Sequence, residues 1–210
     1  MRVLDTYSHI GFTCFPRSLE EIRCAVRRVL QSPPPIQFTE REVKLQLAEI
    51  YTDAPLPGGA HPAKVMLFSP SIALESTVFF ANYVDGWQTL VICISKLISC
   101  RIYDFALGSE SDKWPLYRFE VLEGGVQARH ISVIKDVDRW KFYETGEPLP
   151  EEDATMYRKR RIKDRLPRSY LVELASRLGF EVGDDRFWES AAQQAVYFED
   201  QSPNGGNIQT

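Results

Sequence analysis

The strongest constraint on the fold is a change of hydrophobic period within one stretch, Ser76 to Gly108. Thr77-Val78-Phe79-Phe80-Ala81 is an apolar run of branched and aromatic residues, which predicts a buried strand. Asp85-Gly86 breaks it, and Asp85 is of a type that caps helix N-termini. From Trp87 the apolar residues Leu90, Val91, Ile94, Leu97 and Ile98 recur at helical spacing. Ile102, Tyr103, Phe105 and Leu107 then restore a strand-like pattern. A strand, a helix and a strand in succession predict the core of the molecule, with Leu90 and Ile94 among its most buried residues. None of these residues carries evident chemistry.

On either side of this unit the pattern is less uniform. Ser18-Leu19-Glu20-Glu21 has the form of a capping box, and Leu19, Ile22, Val26, Val29 and Leu30 continue it as a helical stripe up to Pro33-Pro34-Pro35. Thr39 to Tyr51 reads two ways: Thr39-Glu40-Arg41-Glu42 has the form of another capping box, yet Val43, Leu45 and Leu47 alternate with Lys44 and Gln46 as a strand would, and the strand is the reading taken. Pro55 to Pro62 has the composition of a surface loop. Val65 to Phe68 reads as a strand. Tyr117 to Val121, a Gly124-Gly125 turn, Val126 to Ile134, and Trp140 to Tyr143 read as further strands. Tyr157 to Leu166 reads as a short basic surface helix, Leu171 to Leu178 as an amphipathic helix stopped by Gly179, and Phe187-Trp188 as the start of a third element. The expected architecture is therefore α+β: a mostly antiparallel central sheet flanked by helices, with a helical C-terminal third. Residues 1–199 would form one domain, with 1–63 as an N-terminal appendage and 200–210 as a disordered tail.

A chain of 210 residues can bury a sizeable core, and its 44% apolar and 26% charged residues are ordinary for a globular protein. Met1 to Phe15 lacks a basic start followed by an apolar run, and no apolar run is long enough for a membrane span, so a cytoplasmic location and no membrane partner are expected. The net charge of −4 argues against a general nucleic-acid binder. Cys14, Cys24, Cys93 and Cys100 show no metal-ligand spacing, and neither a phosphate-binding glycine motif nor a nucleophile-elbow motif is present, so no cofactor or metal is expected.

Charge is distributed unevenly. Glu144, Glu147, Glu151, Glu152 and Asp153 lie between Phe142 and Tyr157 with no base among them, and Pro148 and Pro150 stiffen the same segment. Trp114, in the polar loop Gly108 to Pro115, reads as an exposed aromatic. Acids on a stiffened loop, together with an aromatic anchor, suit recognition of a basic protein, and these six residues are the expected partner-binding set. A second acidic stretch runs from Glu181 to Asp200. Two other readings use different residues: a hydrolase or metal-dependent nuclease built from Glu42, Lys44, His61 and His130, or a nucleic-acid-binding regulator using the basic run Arg158 to Arg168.

Asp85-Gly86-Trp87 opening a helix, the segment Trp140 to Pro150, then Tyr157, Arg160-Arg161, Arg165-Leu166 and Leu178-Gly179 give the chain a further aspect. In this layout, over residues 64 to 198, it resembles a bacterial cytoplasmic immunity protein of a type VI secretion effector–immunity pair, with nuclease effectors as the nearest match. The resemblance implies an antitoxin that binds its cognate toxin and covers the active or substrate-binding surface; the choice between a monomer and a homodimer is left open. It carries over no catalytic residues, so the chain is not expected to be an enzyme.

Overall fold

The computed structural model describes residues 3–33, 35–50, 62–83 and 85–201. Four α-helices are present among them: α1 (Val3–Thr6), α2 (Leu19–Leu30), α3 (Gln88–Leu97) and α4 (Arg168–Arg177). The strands are β1 (Ile10–Phe15), β2 (Phe38–Lys44), β3 (Lys64–Phe68), β4 (Thr77–Ala81), β5 (Arg101–Leu107), β6 (Leu116–Glu123), β7 (Val126–Asp136), β8 (Arg139–Thr145) and β9 (Gln194–Asp200). They form one sheet in the order β2-β9-β3-β4-β1-β5-β6-β7-β8, and every neighbouring pair is antiparallel.

The stretch with the changing period is β4, α3 and β5. Both strands are antiparallel to β1 and flank it, so they run parallel to each other and α3 carries the chain across β1. The cap of α3 differs from expectation. Trp87 is the N-cap at φ +55°, and Asp85 Oδ1 accepts from Trp87 N at 3.0 Å in the preceding turn. Ser18 caps α2 by accepting from Glu21 N. Helices α2 and α3 cover one face of the sheet, packing Ile22, Val26, Leu30, Leu90 and Ile94 against Val65, Leu67, Phe79 and Phe198. Each such side chain, fully buried, contributes roughly 1.5–3 kcal/mol.

The opposite face is covered by the chain between β8 and β9, and here the expected α+β architecture with a helical C-terminal third is overturned. That third holds one α-helix, three short 3-10 turns and the strand β9, inserted between β2 and β3. The basic segment expected as a surface helix is two 3-10 turns, Met156–Arg158 and Ile162–Asp164, and it buries Tyr157 and Leu166. Phe187 and Trp188 are buried in a third turn rather than opening a helix. In β9, Val196 and Phe198 face α2 and α3, whereas Ala195 and Tyr197 face the other layer. A strand buried on both sides shows no alternation, which is why its sequence does not announce it.

The N-terminal part is no appendage. β1 is the middle strand of nine, and all six of its residues are buried. Asp200, expected to open the tail, is instead buried in β9 and donates its N–H to Ala63 O; 202–210 and the 51–61 part of the expected loop lie outside the described residues. Among the described residues no helix is long and apolar enough to cross a membrane.

Candidate functional site

The acidic segment starts where β8 ends. At Gly146 the backbone takes φ +77°, and a Cβ there would lie 2.0 Å from Ala128 O, so only glycine lets the chain turn this close to β7. Beneath the turn is Arg129 of β7, with only 1% of its side chain exposed. Its Nη1 donates to Gly146 O at 2.7 Å and Thr145 O at 3.2 Å. Nη2 donates to Glu144 at 2.9 Å and Glu152 at 2.8 Å, and Nε donates to Glu152 at 3.0 Å. Glu152 also accepts from Leu149 N and from Tyr157 Oη. Tyr170 Oη lies 3.1 Å from Tyr157 Oη and accepts from Asp153 N.

These contacts decide the charge states. Burial alone would lower the Arg129 guanidinium, but the bonds from Glu152 and Glu144 outweigh it and push its pKa well up. The Tyr157 phenol is driven up by burial first, then by Tyr170 and Glu152. The expected partner-binding set divides accordingly. Glu152 is withdrawn, with its carboxylate fully buried against Arg129. Glu144 shares that arginine but stays 36% exposed. Asp153 stays at the surface but accepts from the Thr155 N–H and hydroxyl two residues on, which hold its carboxyl below its ordinary value. Glu147 is exposed and Glu151 partly so, and both side chains are free of ion pairs among the described residues.

Trp114 is 57% exposed, with the Lys113 ammonium 5.6 Å from its ring centre. It does not share a surface with the acids. Trp114 precedes Leu116, which sits in one row with Ile134 and Lys141, whereas the acidic loop follows Thr145, in the row of Glu120 and His130. At about 3.3 Å per residue the two features lie at opposite ends of the strands. The expected single surface is therefore two.

The residue sets of the other two readings are also dispersed or engaged. Glu42 and Lys44 are on β2, the first strand of the sheet, and His130 is on β7, the eighth, roughly 34 Å away at about 4.8 Å per strand. His61 lies outside the described residues. In the basic run, Lys163 pairs with Glu110, Arg161 with Asp164, and Arg165 donates to Lys159 O while lying 5.2 Å from the Phe142 ring centre. Arg168 donates to the backbone carbonyls of Leu4, Tyr7, Ser8, Leu107 and Gly108, tying the N-terminal segment to the end of β5. Arg158, Lys159 and Arg160 remain exposed.

A second constellation escapes sequence reasoning. Thr13, Asp104, Glu120, His130 and Thr145 stand directly opposite one another across five strands, on the face that carries α2 and α3. Thr13 and Arg118 both bond Asp104, at 2.7 and 2.6 Å, and Gln88 of α3 adds a third bond at 3.1 Å. Burial raises the Asp104 carboxyl despite the charge of Arg118 beside it. Glu120 accepts from Gln127 at 2.7 Å, and His130 Nε2 lies 2.9 Å from Ser132 Oγ. Burial would raise Glu120 too, but its contacts with His130 and Gln127 and the charge of Arg118 prevail and hold it below its ordinary value. The available signal was a histidine and a serine two apart on a strand, which share a face. Which acid stands opposite them depends on register. Among the described residues no group of three histidine, cysteine or acidic side chains is placed to hold a metal. Compared with protein-family models, curated proteins and solved structures, the chain matches none of them.

Proposed function

We propose that this chain is an inhibitory binding protein of the immunity type. It acts in the cytoplasm by covering the basic substrate-binding surface of a secreted antibacterial toxin, a nuclease in the reading that best fits its charge. The observation that supports this is the loop Glu144 to Asp153, which the Arg129 guanidinium holds at both ends. A loop already ordered loses little conformational entropy on binding, so its exposed acids are presented at low cost. Glu147 and Glu151 are the displayed charges. A nuclease must offer a basic surface to phosphates, and an acidic inhibitor competes for that surface.

Co-expression with the toxin encoded beside it tests the reading. Protection of the cell and a complex on gel filtration are expected; continued killing with no complex refutes it. The surface is tested separately. Glu147→Lys with Glu151→Lys should slow association several-fold at low salt and weaken its salt dependence, because rim charges act mainly on the on-rate. Unchanged association rates would move the interface off this loop.

A further inference from the structure

The polar row has a chemistry that the binding reading does not use. Helix α3 packs as far as β6, with Ser95 Oγ accepting from Gly125 N at the β6–β7 turn. Ser132 sits beyond it on β7, with Arg118 opposite on one side and Tyr143 on the other. Its hydroxyl is 2.9 Å from His130 Nε2. On the far side of the ring, Nδ1 is buried, makes no hydrogen bond with any described residue, and lies 3.8 Å from Glu120 Oε2. The tautomer with its proton on Nδ1 points that proton at Glu120 and leaves Nε2 to accept from Ser132. A hydroxyl within bonding reach of a base, and a base oriented by a carboxylate, are the parts an activated serine requires. Arg118 supplies a positive charge for a developing oxyanion. Its Nε and Nη2 bond Asp104 and Asp85 O, while Nη1 makes no hydrogen bond with a described residue.

We propose that Ser132 is a nucleophile for acyl transfer from small carboxylic esters, with His130 as general base and Glu120 as the positioning carboxylate. Ser132 Oγ bonds the ester carbonyl carbon while its proton passes to Nε2. The ester C–O bond then breaks, the leaving oxygen takes that proton from His130, and the acyl group stays on Ser132. Water, deprotonated by the same nitrogen, attacks the acyl carbon; the bond from that carbon to Ser132 Oγ breaks, Oγ takes the proton back from His130, and the carboxylic acid leaves. The Arg118 charge opposite Ser132 stabilises the oxyanion formed in each half-reaction. Ser132 is only 4% exposed, so the acyl group must be small, and Tyr143 opposite it on β8, 46% exposed, marks the side open to solvent.

The test uses the full chain with a fluorophosphonate probe, read by intact mass and peptide mapping, and p-nitrophenyl acetate hydrolysis as the rate assay. One adduct on Ser132 is expected, absent in Ser132→Ala. His130→Gln should lower the labelling rate at least 100-fold, the scale of a lost general base. Glu120→Gln should slow labelling about tenfold and change its pH profile, which a purely structural carboxylate would leave unmoved. Each variant is first matched to the parent by circular dichroism and melting. If one does not fold, the mapped site on the parent chain decides alone. No adduct on Ser132 under conditions that label a control serine hydrolase, or wild-type labelling in His130→Gln, overturns the proposal. It does not rest on the binding reading: Ser132→Ala is expected to bind a toxin partner unchanged.

Discussion

Removing Arg129 tests the organisation of the acidic loop most directly. Arg129→Met keeps the unbranched apolar stem of the side chain and deletes the guanidinium. Glu152 would then be a carboxylate with 0% of its side chain exposed and no counter-charge, retaining only Leu149 N and Tyr157 Oη. Thr145 O and Gly146 O would each lose a donor. Breaking a buried pair from one side costs about 3–5 kcal/mol, because the stranded charge is uncompensated. We therefore expect a loss of about 4 kcal/mol, a large share of the roughly 5–15 kcal/mol by which domains are stable. Glu152→Gln should cost less, about 1–3 kcal/mol, since Arg129 keeps Glu144 and both carbonyls. The double variant Arg129→Met with Glu152→Gln strands no charge and should be at least about 2 kcal/mol more stable than the two single losses added together. Urea unfolding followed by tryptophan fluorescence measures all three. A loss below about 1 kcal/mol for Arg129→Met, or additivity of the pair within about 0.5 kcal/mol, would show that Arg129 does not organise the loop.

Further variants probe other parts of the structure. Leu90→Ala should cost about 2–5 kcal/mol on chemical denaturation, because Leu90 is 0% exposed between α3 and the sheet. Gly146→Ala should cost about 2–4 kcal/mol, combining the left-handed backbone with the clash at Ala128 O, whereas Gly124→Ala, with nothing within 4 Å of its Cβ, should cost only about 1–2 kcal/mol. Equal losses at the two glycines would remove the close approach as the cause. Glu40 is held below its ordinary value of 4.5, first by the bond from Arg27 and then, against burial, by Arg23. A depressed carboxyl contributes stability above its unfolded pKa and loses it as pH falls through its folded one. Glu40→Gln should therefore be less stable than the parent at neutral pH, and thermal melts should show the gap closing below about pH 4.5.

What was legible in the sequence follows from solvent exposure. Helix α2 and the hairpin at Gly124-Gly125 carry local signals, a cap and two left-handed glycines, that act over a few residues. The period change at β4, α3 and β5 is also local. β1 and β9 have no alternation to read because both of their faces are covered, so neither the centre of the sheet nor the last strand of the chain is legible in the sequence. The segment 156–164 misled for another reason. Its 3-10 turns bury Tyr157 while exposing the arginines around it, a pattern that an α-helical period does not test. In the candidate site, Glu151 and Glu152 are indistinguishable as sequence. Only the turn at Gly146 and the position of Arg129 across the strand pair decide that one is buried and the other displayed.

The two proposals meet on consecutive residues of β7, and that placement separates them experimentally. Arg129 points into the layer formed by the chain between β8 and β9, where Tyr157 and Tyr170 lie. His130 points to the opposite face, towards Glu120 and Ser132. Adjacent strand residues project to opposite sides of a sheet, so the two polar groups share a backbone but no side-chain partner. Substitutions on one face should therefore leave the readout of the other unchanged apart from overall stability. Arg129→Met should loosen the acidic loop and slow partner association while fluorophosphonate labelling of the folded fraction stays at the parent rate. His130→Gln should slow labelling at least 100-fold and leave association untouched. If either substitution moved both readouts, β7 would be transmitting a change between the faces, and loop and row would have to be treated as one coupled site rather than two.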